Sequence, residues 1–432
     1  MKTVAFYTLG CKVNQYDSEA MLDEFIKDGF AQVAPTGKAD VYVINTCIVT
    51  NTGERKSLQM ARRCKKLNPE AFIIIAGCLA QREADNLISK GADLVIGNSR
   101  RKDIVKLYKQ ALTQREGISA VENIKKTSFE PLSVETYQHK TRAILKIQEG
   151  CDRFCTYCII PYVRGGIRSR SIPSIQKEAA RFIEHGYKEI VLTGIHLTSY
   201  GKDLENASLV DAINAAAQEG LIRLRLGSLE PVIITENFVK KISKIPSLCP
   251  QFHLSLQSGA DSVLKRMGRR YNTKEFANAL ALLRKYFKNP AITTDVICGF
   301  PGETDEEHGE SLEFVKKMQF AKVHVFPYSR RKGTKAATMP GQIKKEAKSA
   351  RSHEMLEIAK LSQQHYSEKF LNKTMQVLYE EEHKDGAAGY TENYLRVETL
   401  GAKPNHIAHT KLTAYKDGVF TGTLVDNKED NL

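Results

Sequence analysis

Apolar positions in residues 1–112 alternate between two periods. Short apolar runs at Val4–Thr8, Val41–Thr46, Phe72–Ala76 and Leu94–Ile96 read as strands, with helix-period stretches between them. The first helix carries Met21, Leu22, Phe25 and Ile26 on one face, with Asp17 or Ser18 as its N-cap and Gly29 past its end. Gly53–Leu67 reads as a helix stopped by Pro69, Arg82–Lys90 as another, and Lys102–Leu112 as a closing one. Repeated βα units imply an α/β fold, a parallel sheet covered by helices.

Residues 113–140 are polar and weakly patterned, which predicts a linker, set at 114–136. Six further βα units follow, with strands near Ala143–Gln148, Glu189–Thr193, Ile222–Leu226, Phe252–Leu256, Ile292–Cys298 and Val323–Phe326. Six units are too few for a closed eight-stranded barrel and fit a curved, open (βα)6 barrel instead. Beyond a basic helical stretch, Thr374–Glu380, Leu395–Glu398 and Val419–Leu424 read as short strands. Gly386, Gly389, Gly401 and Gly418 read as their turns, which predicts a small C-terminal β-barrel.

Composition narrows the function classes. Of 432 residues, 42% are hydrophobic and 26% charged, the balance of a globular protein with separate cores. No apolar run approaches the ~20 residues that span a bilayer, and the N-terminus lacks a secretory signal, so the expected location is the cytoplasm with no membrane partner. The net charge is +14, and Arg330–Lys373 alone holds 11 Lys/Arg against 4 Asp/Glu. A basic segment of that density suits a polyanion, RNA or DNA first, or a solvated helix face. Nine cysteines in a long chain without a secretory signal point to metal ligation or buried thiols rather than disulfides.

Cys151-Asp-Arg-Phe-Cys155-Thr-Tyr-Cys158 is C-x3-C-x2-C, just after the first barrel strand. Three thiolates hold three irons of a 4Fe–4S cube and leave the fourth open to a cofactor. A zinc knuckle is the alternative, but zinc usually takes four ligands, and no fourth Cys or His lies close by in sequence. The spacing and position resemble the radical S-adenosylmethionine (SAM) superfamily. That resemblance implies S-adenosyl-L-methionine chelating the open iron and reductive cleavage to a 5′-deoxyadenosyl radical. Further segments stand where that superfamily builds its SAM pocket: Leu192-Thr-Gly194, Gly227-Ser-Leu-Glu230-Pro231, Leu254-Ser-Leu-Gln257-Ser-Gly259 and Asp295-Val-Ile-Cys-Gly299-Phe-Pro-Gly302-Glu303. Gly194 is expected to allow close backbone approach to the ligand, and Glu230 and Gln257 to hydrogen-bond its ribose or methionine. The Gly-Gly-Glu form common in the superfamily is replaced here by Leu192-Thr-Gly194.

Cys11, Cys47 and Cys78 each follow one of the first three predicted strands. Strand ends of an open parallel sheet gather on one edge, where ligands bind, so a second three-cysteine set is expected there. Cys64, Cys249 and Cys298 have no such partners and read as buried structural thiols.

Two cysteine triads with Thr8-Leu-Gly-Cys11-Lys-Val-Asn-Gln-Tyr-Asp-Ser-Glu19 resemble the radical SAM methylthiotransferase family over essentially the whole chain. The resemblance implies a methylthiotransferase domain at 1–113, a radical SAM core at 137–367 and an RNA-binding TRAM barrel at 370–432. It implies two 4Fe–4S clusters, an auxiliary one on Cys11, Cys47 and Cys78 and a SAM-binding one on Cys151, Cys155 and Cys158. The auxiliary cluster would hold a sulfide or persulfide, one SAM would methylate that sulfur, and a second SAM would be cleaved. The form Leu9-Gly-Cys-Lys-Val-Asn-Gln-Tyr16 is most similar to the branch that methylthiolates C2 of N6-threonylcarbamoyladenosine 37 of tRNA. An aromatic C–H is not deprotonated by any side chain, so the cofactor carries that step.

The implied partners are tRNA and an external flavodoxin- or ferredoxin-like electron donor, with the enzyme as a monomer. Candidate RNA contacts are Tyr390, Tyr394 and Arg396 in the C-terminal barrel, which can stack on bases or meet phosphate, and the run Arg330-Arg331-Lys332 at the last barrel strand. Three other readings share much of this chemistry: an enzyme acting on a ribosomal-protein aspartate, one acting on isopentenyladenosine 37, and a non-catalytic iron–sulfur RNA-binding regulator.

Overall fold

A computed structural model of the chain describes residues 1–49, 51–114, 116–135, 137 and 141–425. Parts of two expected segments lie outside the described residues: positions 115, 136 and 138–140 around the linker, and 426–432 of the C-terminal barrel.

The N-terminal unit runs β1 (Thr3–Thr8), α1 (Lys12–Lys27), β2 (Ala31–Gln32), β3 (Val41–Thr46), α2 (Asn51–Leu67), β4 (Phe72–Gly77), α3 (Cys78–Ile88), β5 (Leu94–Ile96), α4 (Ile104–Gln114) and β6 (Ile118–Ala120). Its sheet has the order β2-β1-β3-β4-β5-β6, with every pair parallel. Helices cover both faces. Met21, Leu22 and Phe25 of α1 pack with Leu107 and Tyr108 of α4 on one face, and Cys64, Leu79 and Leu87 pack on the other. Strand order reverses between β1 and β3, which opens a crevice at their carboxyl ends.

Several boundaries differ from expectation; helix α3, expected at Arg82, starts at Cys78. Helix α1 starts at Lys12, with Cys11 as its N-cap, so Asp17 and Ser18 lie inside it and are buried, while Ile26 faces solvent. Ser18 Oγ accepts from Thr8 Oγ1 at 2.7 Å and from Asn45 Nδ2 at 3.0 Å, so a cap-type residue serves as a tertiary tie. The stretch expected as linker contains β6, which adds a sixth strand beside β5. Three residues in a polar context are too short to show a period.

The central unit contains β7 (Arg142–Glu149), α5 (Ile160–Arg164), β8 (Arg168–Ser169), α6 (Ile172–Glu184), β9 (Glu189–Gly194), α7 (Leu209–Ala216), β10 (Arg223–Leu226), α8 (Glu236–Ile242), β11 (Gln251–His253), α9 (Asp261–Met267), α10 (Thr273–Tyr286), β12 (Ala291–Cys298), α11 (Asp305–Met318), β13 (Lys322–Pro327) and α12 (Lys345–Glu368). All six expected strands are present. They form two parallel arcs, β7-β9-β10 and β11-β12-β13, joined by bridges at Leu224–Leu248 and Leu229–Leu254. The two-residue β8 adds antiparallel to β7. One core unites Leu145, Leu192, Leu224, Phe252 and Val296 with Phe182, Ile213, Val239 and Phe276 of the covering helices.

The C-terminal unit is a closed barrel, β14 (Thr374–His383), β15 (Gly386–Thr391), β16 (Arg396–Leu400), β17 (Ile407–Lys416) and β18 (Val419–Leu424), in the order β14-β15-β16-β18-β17. Two of its strands were not expected. Gly386 and Gly389 lie within β15 rather than at turns, pressed against the neighbouring backbones. The barrel docks on the N-terminal strand ends of the central unit. Arg223 Nη1 donates to the Tyr390 carbonyl at 2.8 Å, and Arg225 Nη2 to the Thr391 carbonyl at 2.9 Å.

Candidate active site

Strand register assembles the first cysteine set. Thr8 pairs with Asn45, and Thr46 with Gly77, so β1, β3 and β4 end level and their following turns meet. Cys11 caps α1, Cys47 follows β3 directly, and Cys78 opens α3. Asn14 Nδ2 donates to the carbonyls of Leu9 (2.7 Å) and Thr46 (3.0 Å), which binds the first two turns together. Thr46 Oγ1 donates to the Ala76 carbonyl at 2.6 Å and accepts from the Leu79 N–H at 3.2 Å, which adds the third. The Cys47 side chain packs on Gly10, beside Cys11. Cys11 is exposed, Cys47 half-buried and Cys78 buried. Burial pushes the Cys47 thiol up to about 11, with Cys78 and Cys11 adding to the shift, so binding a cation there relieves the cost of three adjacent thiolates.

The second set sits on the loop between β7 and α5. Its ends are joined where the Cys151 N–H donates to the Gly165 carbonyl at 3.0 Å. Its middle is tied to α9 by the Thr156 N–H, 2.9 Å from the Met267 carbonyl. Arg269 Nη1 lies 3.2 Å from Cys155 Sγ. Burial pushes Cys151 up to about 11 and Cys158 to about 12. Phe154, inside the loop, adopts a left-handed backbone (φ 48°) and is half exposed, edge-on to exposed Tyr162 at 5.6 Å.

Three residues expected at the SAM pocket have structural partners. Glu230 gives its oxygens to Arg269 (2.8 Å), Arg153 (2.9 Å) and His196 (3.1 Å). Despite burial, these partners hold its carboxyl down at about 2. Glu230 therefore braces the cysteine loop through Arg153 and Arg269. Gly194 makes its close approach to Gln148 rather than to open space; a Cβ there would stand 2.9 Å from the Gln148 side chain. Gln148 Nε2 in turn donates to the Gly150 carbonyl at 2.8 Å, at the start of the cysteine loop. Gln257 is buried with φ 75°, and its backbone bonds to Asp295 and Ile297 of β12. His196, distant in sequence, comes within 4.8 Å of the Cys151 thiol. Its Nδ1 faces Ser199 Oγ at 2.6 Å, and its Nε2 lies 3.1 Å from Glu230 without a hydrogen bond.

The expected RNA contacts separate. Tyr390 and Tyr394 stack on each other (4.5 Å, 16°), with the Arg142 guanidinium 5.3 and 5.5 Å from their centroids and Arg225 4.8 Å from Tyr394. Arg396 is paired with Glu381 at 3.3 Å. The tyrosine pair thus contributes to the seam between the barrels through Arg142 and Arg225, while Tyr394 keeps part of its ring exposed. Arg330 and Lys332 are exposed, and Arg331 is buried.

The sequence reading missed the feature that joins the two cysteine sets. Asp17, Arg101, Lys146, Glu149 and Arg164 are all buried between the N-terminal unit and β7–α5. Arg101 pairs with Glu149 (3.0 Å), Asp17 and Glu130 (2.8 Å), and Lys146 with Asp17 and Glu149 (3.4 Å). Arg164 pairs with Glu149 and Asp17 (3.2 Å), and its Nε lies 3.2 Å from Cys78 Sγ. A lysine at an alternation slot of an otherwise apolar strand, Ala143-Ile-Leu-Lys146-Ile147, was the available signal.

Comparison with known proteins places this geometry. Residues 145–315 match the Radical SAM superfamily, and residues 3–97 match the family described as "Uncharacterized protein family UPF0004". The fold is similar to that of the radical S-adenosylmethionine methyltransferase TsrM from Kitasatospora setae, with TM-score 0.57 and 13% identity over 78% of this chain and 77% of that one. The chain is 39% identical to "Threonylcarbamoyladenosine tRNA methylthiotransferase MtaB" of Bacillus subtilis, over 100% of this chain and 99% of that protein. It is 37% identical to the protein of that name in Thermotoga maritima, over 93% and 92%. It is 34% identical to "tRNA-2-methylthio-N(6)-dimethylallyladenosine synthase" of Clostridium tetani, over 94% and 92%. The chain belongs to the radical SAM methylthiotransferase family and is an enzyme of that family. Membership implies SAM and a 4Fe–4S cluster. No helix among the described residues is long and apolar enough to cross a membrane.

Proposed function

We propose that this enzyme methylthiolates C2 of N6-threonylcarbamoyladenosine 37 of tRNA. The observation that carries the reading is the convergence of Cys11, Cys47 and Cys78 on one sheet edge, linked through Arg164 to the loop of Cys151, Cys155 and Cys158. In this reading the central thiols hold the SAM-binding cluster and the N-terminal thiols hold the auxiliary one. Both sets fit a thiolate-ligated cluster: each offers three sulfurs, and each has an arginine donating to one of them, buried Arg164 or partly buried Arg269. When bound, these groups supply hydrogen abstraction at an unactivated carbon and a sulfur to put in its place.

The chain's own residues do the rest. Glu230 and Arg269 fix the central loop, Asn14 and Thr46 fix the N-terminal turns, and the buried ion network sets one domain against the other. Arg330 and Lys332 offer exposed charge to tRNA phosphates. The names of the relatives at 39% and 37% identity, both threonylcarbamoyladenosine tRNA methylthiotransferases, support that choice of substrate. On this reading residues 1–113 carry the sulfur, 137–367 the radical chemistry and 370–432 an RNA-binding barrel, with a flavodoxin- or ferredoxin-like donor supplying electrons to a monomer.

Mass spectrometry of tRNA nucleosides with and without the gene tests the substrate. Loss of the 2-methylthio derivative of threonylcarbamoyladenosine is expected; loss of the isopentenyladenosine derivative instead would reassign it. Anaerobic reconstitution tests the clusters. Wild type should hold about eight Fe and Cys155→Ala about four, with no SAM cleavage. Cys47→Ala should cleave SAM without making product, and product from it would sink the sulfur-donor role.

A further inference from the structure

The Arg164 guanidinium is wholly buried, and every edge of it is used. Nε donates to Cys78 Sγ at 3.2 Å. Nη1 donates to Asp17 Oδ2 at 3.2 Å and to Glu149. Nη2 donates to Asn14 Oδ1. Asn14 presents its other end, Nδ2, to the carbonyls of Leu9 and Thr46, which precede the Cys11 and Cys47 turns. One side chain thus touches Cys78 directly and orients the amide that holds the other two turns. Along the chain, Arg164 lies six residues after Cys158, and Glu149 lies two before Cys151, so the same ion pair closes the base of the central loop.

We propose that Arg164 is a positioning residue shared by both cysteine sets, which donates to the Cys78 sulfur and thereby raises the reduction potential of the group held by Cys11, Cys47 and Cys78. The inference rests on the auxiliary-cluster reading above. A metal-bound thiolate carries negative charge, and hydrogen bonds to cluster sulfurs set the potential. The added electron makes the cluster more negative, so a fixed N–H and a buried positive charge favour the reduced form. Asp17 and Glu149 hold the guanidinium in place without taking its Nε–H. Only a planar fork serves sulfur, two carboxylates and an amide at once; a lysine ammonium at this position cannot.

The test uses the full chain with Cys151, Cys155 and Cys158 all changed to alanine, so that only the N-terminal site is loaded. Iron content is counted after anaerobic reconstitution, and the midpoint is read by mediated titration followed by electron paramagnetic resonance. Each titration adds one electron from the mediator and breaks no bond. Arg164→Lys is expected to shift the midpoint to lower potential. Arg101→Lys, in the same ion network but without a cysteine contact, is expected to leave it in place. Loss of iron from Arg164→Lys alone would equally support the positioning role. An unchanged midpoint in loaded Arg164→Lys, an equal shift in Arg101→Lys, or iron loss from both overturns it. If the triple-alanine parent itself binds no cluster, the auxiliary-cluster reading falls, and this inference with it. Loading with an unmoved midpoint overturns the Arg164 role alone.

Discussion

Gly150 lies against Gly166 so closely that a Cβ on Gly150 would stand 1.7 Å from the Gly166 carbonyl oxygen. With φ 74° at Gly150 and the Cys151–Gly165 hydrogen bond beside it, the pair pinches the cysteine loop shut at its base. Gly150→Ala must therefore open the loop. The expected result is loss of about four Fe and of SAM cleavage, with the N-terminal site still loaded. Iron counting and a 5′-deoxyadenosine assay check it; full SAM cleavage in the variant would refute the role of the pinch.

The buried ions between domains predict a stability effect far from any cofactor. Lys146→Met removes the partner of Asp17 Oδ1 and one partner of Glu149. Arg101 and Arg164 still hold Asp17 Oδ2 and Glu149, so the variant leaves one buried acceptor, Asp17 Oδ1, unpaired and is expected to cost about 1–3 kcal/mol. Urea denaturation of the apoprotein measures it, and a loss below about 1 kcal/mol would mean that water reaches the site.

Asp23 supplies a pH dependence. It is buried, accepts the Glu135 N–H at 2.7 Å, and burial raises its carboxyl to about 6. The folded state therefore keeps a proton that the unfolded chain releases near pH ~4. Between those values stability falls as pH rises, and above about pH 6 the cost is fully present. Asp23→Asn should flatten that slope and stabilise the protein at pH ~7.5 by about 2 kcal/mol while changing little at pH ~4. Denaturation midpoints across that range decide the matter.

The tyrosine pair of the C-terminal barrel and the exposed basic residues predict different outcomes. Lys332→Glu should weaken tRNA binding and lower the salt slope by about one ion. Tyr394→Ala should leave the slope unchanged and instead loosen the barrel from Arg142 and Arg225, read as faster proteolysis between the units. A drop in salt slope for Tyr394→Ala would return that ring to the RNA surface.

Most of this protein's architecture was legible along the chain. The alternation of apolar strands with helical stretches marked the parallel N-terminal sheet and the six barrel strands, because those elements bury continuous faces and must carry their period locally. Both cysteine sets were legible too, one from its spacing and the other from three repeated places after strands. Where reading failed, the controlling partners were distant. Asp17 looked like a helix cap because nothing nearby shows that Arg101, Lys146 and Arg164 converge on it. The contacts of Tyr390 and Tyr394 with Arg142 and Arg225 were not legible, because only the docked barrel brings those guanidiniums onto the rings. The protein partners of Gly194 and Glu230 were not legible either, because Gln148, Arg153 and Arg269 lie on other strands and loops. Local sequence determined which residue types stand at strand ends, since periodicity and turn chemistry act over a few residues. Tertiary structure alone decided which charges neutralise one another, since a buried ion takes its partner from whatever the fold brings within a few ångströms.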